Sequence, residues 1–431
     1  MPKEIYLDNA ATTPADPRVL KAMEPYWSKI YGNPLSFNDA GRTAKKAMDQ
    51  ARKKIARLLG AKVQEIIFTS SATESNNLAT QGIARNFQFS IFNFQSNFKI
   101  KNIKPRIITT KAEHHSVLEP VKQLEKNGFD VTYLKVNKEG LINLDDLKNS
   151  LRPETVLVSI IYANNEIGSI QPLKKIAKII KEFRNSKLLV EGSRAKPGIA
   201  VEIRNSQYPY FHTDAAQAAA YLDMNVNNLG VDLLTASSSK IYGPKGVAAL
   251  YVRQGTEIEP LIFGGGQEFG LRAATPAVPL IVGFAKALEL TNNKKQITNN
   301  KLKKLRENFI GKLKKILPAV KINGPENPFE RVPGIINMTF PGIENEQLLL
   351  YLDKYGIRAS AGSACASHEM EPSHALIALG LSKDEARSSI RFSLGKQTTK
   401  ADLEHVLKIL PKVVKNIEGL YPKELKKNYY L

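Results

Sequence analysis

The chain has 431 residues, 42% of them apolar, and a formal net charge of +21 from 62 Lys and Arg against 41 Asp and Glu. That length suits one large domain and a smaller one around a sizeable buried core. A single cysteine, Cys365, excludes an intramolecular disulfide and with it a secreted disulfide scaffold. The apolar runs, such as TVLVSII at 155–161, stop far short of the ~20 residues that cross a bilayer, so no membrane association is expected. The opening MPKEIYLDNAATTP has the character of neither a signal nor a transit peptide, and cytoplasmic residence is the expectation. Excess positive charge would speed encounter with anionic partners, nucleic acid included. The lysines, however, are scattered along helical stretches such as KKLRENFIGKLKK rather than set beside aromatics. A solvated basic surface is the reading, and nucleic-acid binding is not expected.

Strand-like segments EIIFTS (65–70), PRIITT (105–110), FDVTYLKV (129–136) and TVLVSIIYA (155–163) alternate with helical ones, which predicts an α/β fold. After the first strand, SATESNNLATQGIA (71–84) opens a helix, so 71–74 lie at its positive N-terminal end. Residues 86–98 (NFQFSIFNFQSNF) and 191–209 (EGSRAKPGIAVEIRNSQYP) look like surface additions. The first is expected to be an elongated loop or hairpin, with docking of a partner on its aromatics as the alternative. Beyond the Gly/Pro stretch at 276–283, Leu302, Leu305, Phe309, Leu313 and Ile316 mark one face of a long amphipathic helix. That helix should begin the smaller domain. The expected division is a large domain over 16–283 and a small one made of 1–15 and 284–431.

Pyridoxal 5'-phosphate chemistry needs a lysine, a carboxylate for the ring nitrogen, a phosphate cradle and a group against the ring. Lys240 lies in SSSKIYGPKG, a Ser-rich turn after the apolar VDLLTA. Asp214 and Gln217 follow YPYF in HTDAAQAAA, at a strand end where α/β proteins bind ligands, although Asp214 could equally cap the Ala-rich segment after it. Ser71, Ala72 and Thr73 offer an anion cradle at a helix start, or an ordinary cap. His114 could stack on a ring and move a proton, with His115 as the competing candidate. Cys365, in SAGSACASHEMEP, has the small neighbours that a mobile nucleophile needs, where a core cysteine would have larger ones.

Taken in order, YLDNAATTP, GNP, FTSSATESNNLA, EHHSV, ANNEIG, TDAAQ, SSKIYGPKG, GGGQEFGLR, SAGSACAS and SSIRFSLG closely resemble the cysteine desulfurases of the NifS/IscS type, within the class V aminotransferases of fold-type I. The resemblance implies a large domain with a mainly parallel sheet flanked by helices and a smaller α+β domain carrying the cysteine loop. It makes Lys240 the Schiff-base lysine, Asp214 the pyridinium partner, His114 the stacking residue and Gln217 a donor to the pyridoxal hydroxyl. Asn165 becomes a cofactor contact, and Ala72, Thr73, Ser237 and Ser239 phosphate ligands. Thr275 would reach across from a second subunit of a homodimer, while Asn33 and Arg391 hold the substrate carboxylate. Cys365 would take sulfur from L-cysteine as a persulfide, releasing L-alanine, and pass it to an iron–sulfur scaffold or a tRNA-thiolation relay. No resident metal is implied, only passing ligation by Cys365 of a cluster on such a scaffold. Two positions depart from the family pattern: Ser239 where His is common, and Ala274 where Gly is usual. The rival readings are a selenocysteine lyase or another class V enzyme, and a basic, non-catalytic interaction protein.

Overall fold

The computed structural model describes residues 4–98, 104–186, 208–362 and 371–420, with the backbone alone over 88–98. The chain enters through a short strand, β1 (Ile5–Tyr6), before the main sheet forms. Its strands are β2 (Ile66–Thr69), β3 (Arg106–Thr110), β4 (Asp130–Leu134), β5 (Thr155–Ser159), β6 (Tyr210–Asp214), β7 (Leu233–Ser237) and β8 (Ala248–Val252). They lie in the order β2-β8-β7-β6-β5-β3-β4, and only β8 runs against its neighbours. Strands β5 to β8 are buried at every residue, as the central strands of a sheet covered on both faces must be. The four strand segments expected from the sequence are the strands β2 to β5.

The helix Asp39–Leu59 shows why such sequences form helices here. Asn38 caps its start by accepting from the Gly41 N–H, and Gly60 ends it at φ +67°, a conformation glycine adopts without strain. Between the caps, Ala44, Met48, Ala51, Ile55 and Leu59 recur at helical spacing and are buried, in part against the helix Val278–Ile316. Each fully buried Ile or Leu of this face contributes about 1.5–3 kcal/mol.

The expected boundary at 283/284 falls inside that 39-residue helix. Its first half buries Ile281, Phe284 and Leu288; its second half buries Leu302, Phe309 and Leu313, with Phe309 edge-on to Phe392 at 5.8 Å. Ile316, expected on the same apolar face, is instead exposed. A second, antiparallel sheet follows, formed by β9 (Lys321–Asn323), β10 (Ile335–Thr339) and, after the two-residue β11 (Ile357–Arg358), β12 (Ser389–Ser393). Strand β11 pairs in parallel with β1, which sews the N-terminus to the C-terminal region. The helix Lys400–Leu420 packs its Leu403, Val406, Leu410, Val413 and Ile417 into the same core.

Residues 86–98 are not a loop or hairpin; they extend the helix Ala72–Phe98. After Gly82 the segment contains no Gly or Pro to break a helix, and its NFQ repeat recurs after seven residues, two helical turns. Its start packs on the chain leading into β6, where the Phe87 and Tyr208 rings meet edge-on at 5.1 Å. Residues 191–207 of the second addition lie outside the described residues.

Candidate active site

Strands β2, β3, β5, β6 and β7 share a direction, so the turns after them gather at one sheet edge. Ligands bind in such crevices. A cavity of about 320 Å³ opens there, lined among others by Ser71, Ala72, Thr73, Asn165, Ser237 and Ser239. His114, Asp214, Gln217, Lys240 and Arg391 share its walls. Another space of about 340 Å³, lined by Lys294, Lys295 and Lys301, lies behind the Lys240 turn and holds none of the cradle residues.

Lys240 is positioned by a turn that follows β7 and by the N-terminal segment. Thr13 binds the Ser239 carbonyl twice, through its backbone N–H at 3.0 Å and its hydroxyl at 2.9 Å, and its Oγ1 accepts from the Tyr242 N–H at 2.8 Å. Lys240 Nζ donates to the Ala11 carbonyl. Tyr242 is held at φ +63° between these contacts, a conformation costly for a bulky residue. Gly243 then passes so close to Ser238 that an added Cβ would meet the Ser238 Oγ at 2.1 Å. The YLDNAATTP motif thus buttresses the lysine turn, and sequence reasoning gave Thr13 and Ala11 no role.

Asp214 ends β6 and does two things at once. Its Oδ1 accepts from the Ala216 N–H at 2.9 Å, the expected cap, while its Oδ2 accepts from Asn76 Nδ2 at 2.7 Å. The same Asn76 nitrogen is 2.8 Å from Ser116 Oγ, and that hydroxyl is 2.8 Å from His114 Nδ1. Asn76 is fully buried. Burial pushes the His114 pKa down from its usual value; Asp214 opposes that shift and Lys240 reinforces it. His115 is turned elsewhere, with its ring 4.3 Å from that of His374 and its Nδ1 3.7 Å from Glu119. Of the two histidines, the structure brings His114 to the cavity.

Beneath His114, the Glu113 side chain is buried, accepts from the Ile161 N–H at 3.0 Å and the Thr110 hydroxyl at 2.9 Å, and leaves Oε2 unbonded. Burial, assisted by the charge of Asp214, raises its pKa to about 8, so it is held as the neutral acid at pH 7.

The opposite wall comes from the small sheet. Arg391 on β12 is 1% exposed; it donates to Asp8 at 2.8 Å and to the Asn165 carbonyl at 2.9 Å, and its Nε has no partner. Next to Asn165, Glu166 accepts from the Ser373 hydroxyl at 2.6 Å, and His374 Nε2 is 2.8 Å from the Glu113 carbonyl oxygen. Cys365 lies outside the described residues, within 363–370. Asn33 and Thr275 are exposed and off the cavity wall; Asn33 Oδ1 accepts from the Leu35 N–H. The loop carrying Thr275 is anchored by Arg272, which bonds Glu74 at 2.9 Å, and by the buried Glu268–Arg52 ion pair at 2.6 Å.

The residues present fit pyridoxal 5'-phosphate. The first turn of the helix Ala72–Phe98, whose leading backbone N–H groups have no intrahelical acceptors, lines the cavity, and so do Ser237 and Ser239, whose hydroxyls are 3.0 Å apart. Gln217 is 4% exposed and its Oε1 is unbonded on the same wall. Such an orphaned buried amide asks for a polar ligand.

The aminotransferase class-V family model matches residues 5–208 and 197–406. A cysteine desulfurase IscS of Dictyoglomus turgidum is 44% identical over 422 residues, 98% of this chain and 97% of its own. Among solved structures, a NifS-like protein from Rickettsia africae superposes with a TM-score of 0.78 at 32% identity, covering 96% of this chain and 100% of that one. A structure described as SspA in complex with cysteine gives 0.71 at 35% identity, over 92% of this chain and 100% of the other. With the strand order, the lysine turn and the cavity in agreement with that likeness, the chain belongs to the class-V aminotransferase family, among the cysteine desulfurases.

Proposed function

We propose that this protein removes sulfur from L-cysteine, leaving L-alanine and a persulfide on Cys365. The observation that carries this is the convergence on one cavity of Lys240, Asp214, the Ser71–Thr73 helix start and Arg391. A relative of known structure is described in complex with cysteine, which supports the substrate. When bound, pyridoxal 5'-phosphate supplies an electron sink that makes the Cα proton and the C–S bond of an amino acid labile.

The chain's own residues do the rest. Lys240 Nζ would hold the cofactor and, when not so engaged, would serve as the base for the substrate Cα proton. Asp214 would hold the ring nitrogen, Gln217 would bond the ring hydroxyl, and Ala72, Thr73, Ser237 and Ser239 would bind the phosphate. The Arg391 fork suits the substrate carboxylate, and Asn33 is its proposed second holder. The Cys365 thiolate attacks the substrate sulfur; that sulfur leaves Cβ with the attacking cysteine, and one proton delivered to Cβ and one returned to Cα complete alanine. Atoms balance, since cysteine plus enzyme thiol gives alanine plus enzyme persulfide.

With one cysteine in the chain, the persulfide has no internal partner and passes to an acceptor thiol. The acceptor is proposed to be an iron–sulfur scaffold or thiolation relay. A cytoplasmic homodimer in which Thr275 completes the partner's phosphate site belongs to the same proposal, as does the division into 16–283 and 1–15 with 284–431.

The test is to incubate the purified protein with L-cysteine and a reductant and to quantify alanine and sulfide, beside Cys365→Ser and Lys240→Ala. The unaltered protein should form both products, and each variant should lose at least ~100-fold in rate. Absence of alanine from the unaltered protein would sink the desulfurase reading. Full activity of Cys365→Ser would remove the persulfide step alone.

A further inference from the structure

The backbone N–H of Ser116 lies 3.1 Å from His114 Nδ1, and an N–H can only donate. Nδ1 therefore carries a lone pair. Turning the Asn76 amide over would set its oxygen against Asp214 Oδ2, acceptor against acceptor, so Nδ2 faces the carboxylate and donates to it. The second Asn76 hydrogen is directed at Ser116 Oγ. That oxygen accepts from Asn76, which leaves its own hydrogen for His114 Nδ1 at 2.8 Å.

We infer that Asn76 and Ser116 are positioning residues that fix His114 as the neutral tautomer with its proton on Nε2, while holding Asp214 Oδ2 at the other end of the same relay. Two donors, the Ser116 N–H and O–H, point at Nδ1. A proton cannot be added there unless both are displaced. The ring thus offers the cavity one polar hydrogen, on Nε2, and is not an imidazolium acid in this arrangement. Proton delivery to the product carbons is then assigned to Lys240 Nζ, which shares the cavity wall with the ring, with His114 orienting what it stacks on. This assignment of proton return rests on the proposed desulfurase reading; the tautomer itself rests on the hydrogen bonds alone. The charged and titratable groups acting on the ring are Asp214 from β6, Lys240 after β7, the neighbouring His115 and Glu166. Asp214 and Glu166 favour a charged ring, Lys240 and His115 disfavour it, and burial disfavours it most.

The experiment labels histidine with ¹⁵N in the full-length protein carrying its cofactor and follows the ring nitrogens against pH, with His114→Gln assigning the signals. In the unaltered protein, His114 should show one species, protonated on Nε2 only, through the neutral range. Ser116→Ala removes the hydroxyl donor and should raise the His114 titration midpoint by about 0.5–1 pH unit, the equivalent of one hydrogen bond to the neutral form. Ser116→Thr keeps a hydroxyl and should restore the unaltered midpoint. Asn76→Ala frees the Ser116 hydroxyl to rotate and should give a mixture of ring environments. A proton found on Nδ1, or a midpoint unmoved in Ser116→Ala, overturns the inference. None of these readouts needs turnover, so a protein that released no alanine would overturn the functional proposal and leave the tautomer result standing.

Discussion

On the large-sheet wall of the cavity, Asp214, Asn76, Ser116 and His114 are joined by hydrogen bonds of 2.7–2.8 Å between groups on neighbouring elements. Among the described residues, the small-sheet wall instead reaches the cavity through one guanidinium, that of Arg391, held by Asp8 and by the Asn165 carbonyl. The first wall spreads its orientation over several short contacts, most of them neutral, each of which the fold satisfies locally. The second concentrates it in a nearly buried charge whose partner is 383 residues away in sequence. Neutral networks lose a little when one member is removed; a buried charge loses much. The same difference suits their proposed tasks, since a cofactor must be held through every turnover while a substrate carboxylate must come and go.

The comparison predicts the steepest loss on the small-sheet side. Arg391→Ala should lower kcat/KM for L-cysteine about 100-fold, the equivalent of ~3 kcal/mol of a buried charged contact, while visible cofactor absorption persists. Retention of ordinary kcat/KM would remove Arg391 from the substrate site. Asp8→Ala should cost about 2 kcal/mol in urea unfolding. That is less than the usual penalty for breaking a buried pair, because Asp8 is partly exposed and Arg391 keeps the Asn165 carbonyl.

On the large-sheet side, the charge-sensitive elements are the neutral Glu113 and His212, and their signs oppose each other. Glu113, raised from 4.5 to about 8, binds a proton in the folded state that the unfolded chain has released. Its contribution is fully present below pH 4.5 and is lost as pH rises toward 8. Burial lowers His212 from 6.5 to about 4, so its contribution is present above pH 6.5 and is lost as pH falls toward 4. Between 4.5 and 6.5 the two slopes cancel; between 6.5 and 8 Glu113 acts alone of the pair. Over that upper window the unaltered protein should lose roughly 2 kcal/mol more than Glu113→Gln does, read from denaturant midpoints at the two pH values. Equal losses would show that Glu113 is ionised in the folded protein.

The smallest effect concerns Thr275. Thr275→Ala should leave the unfolding free energy within ~0.5 kcal/mol, as for other exposed sites. It should nevertheless speed cofactor loss on dilution of the purified protein if the residue completes a partner's phosphate site. Unchanged retention would confine that site to one chain.

Most of the large-sheet wall was legible in the sequence because strand, turn and helix follow one another there. An apolar run followed by Ser-Ser-Ser-Lys or by Thr-Asp-Ala-Ala puts a polar group at a strand end whatever the rest of the chain does. Asn76 gave no such signal: it lies one helical turn beyond a recognised helix start, and its buried position appears only when β6 and the helix beginning at His115 pack around it. Residues 86–98 form a helix rather than the expected loop or hairpin, although Phe and Asn have no strong helix preference of their own. What favours the helix is that the segment continues one already nucleated and has no breaker.

By itself, the sequence determined the α/β alternation, the order of the strands' motifs, the single thiol, and the residue types that a pyridoxal phosphate site requires. All of these are properties of neighbours along the chain. The tertiary structure alone decided that Asn76 joins Asp214 to Ser116, that Thr13 and Ala11 brace the lysine turn, and that Asp8 holds Arg391. Those choices depend on long-range closure, where burial makes every unpaired polar group expensive and so selects one partner among many that the sequence would allow.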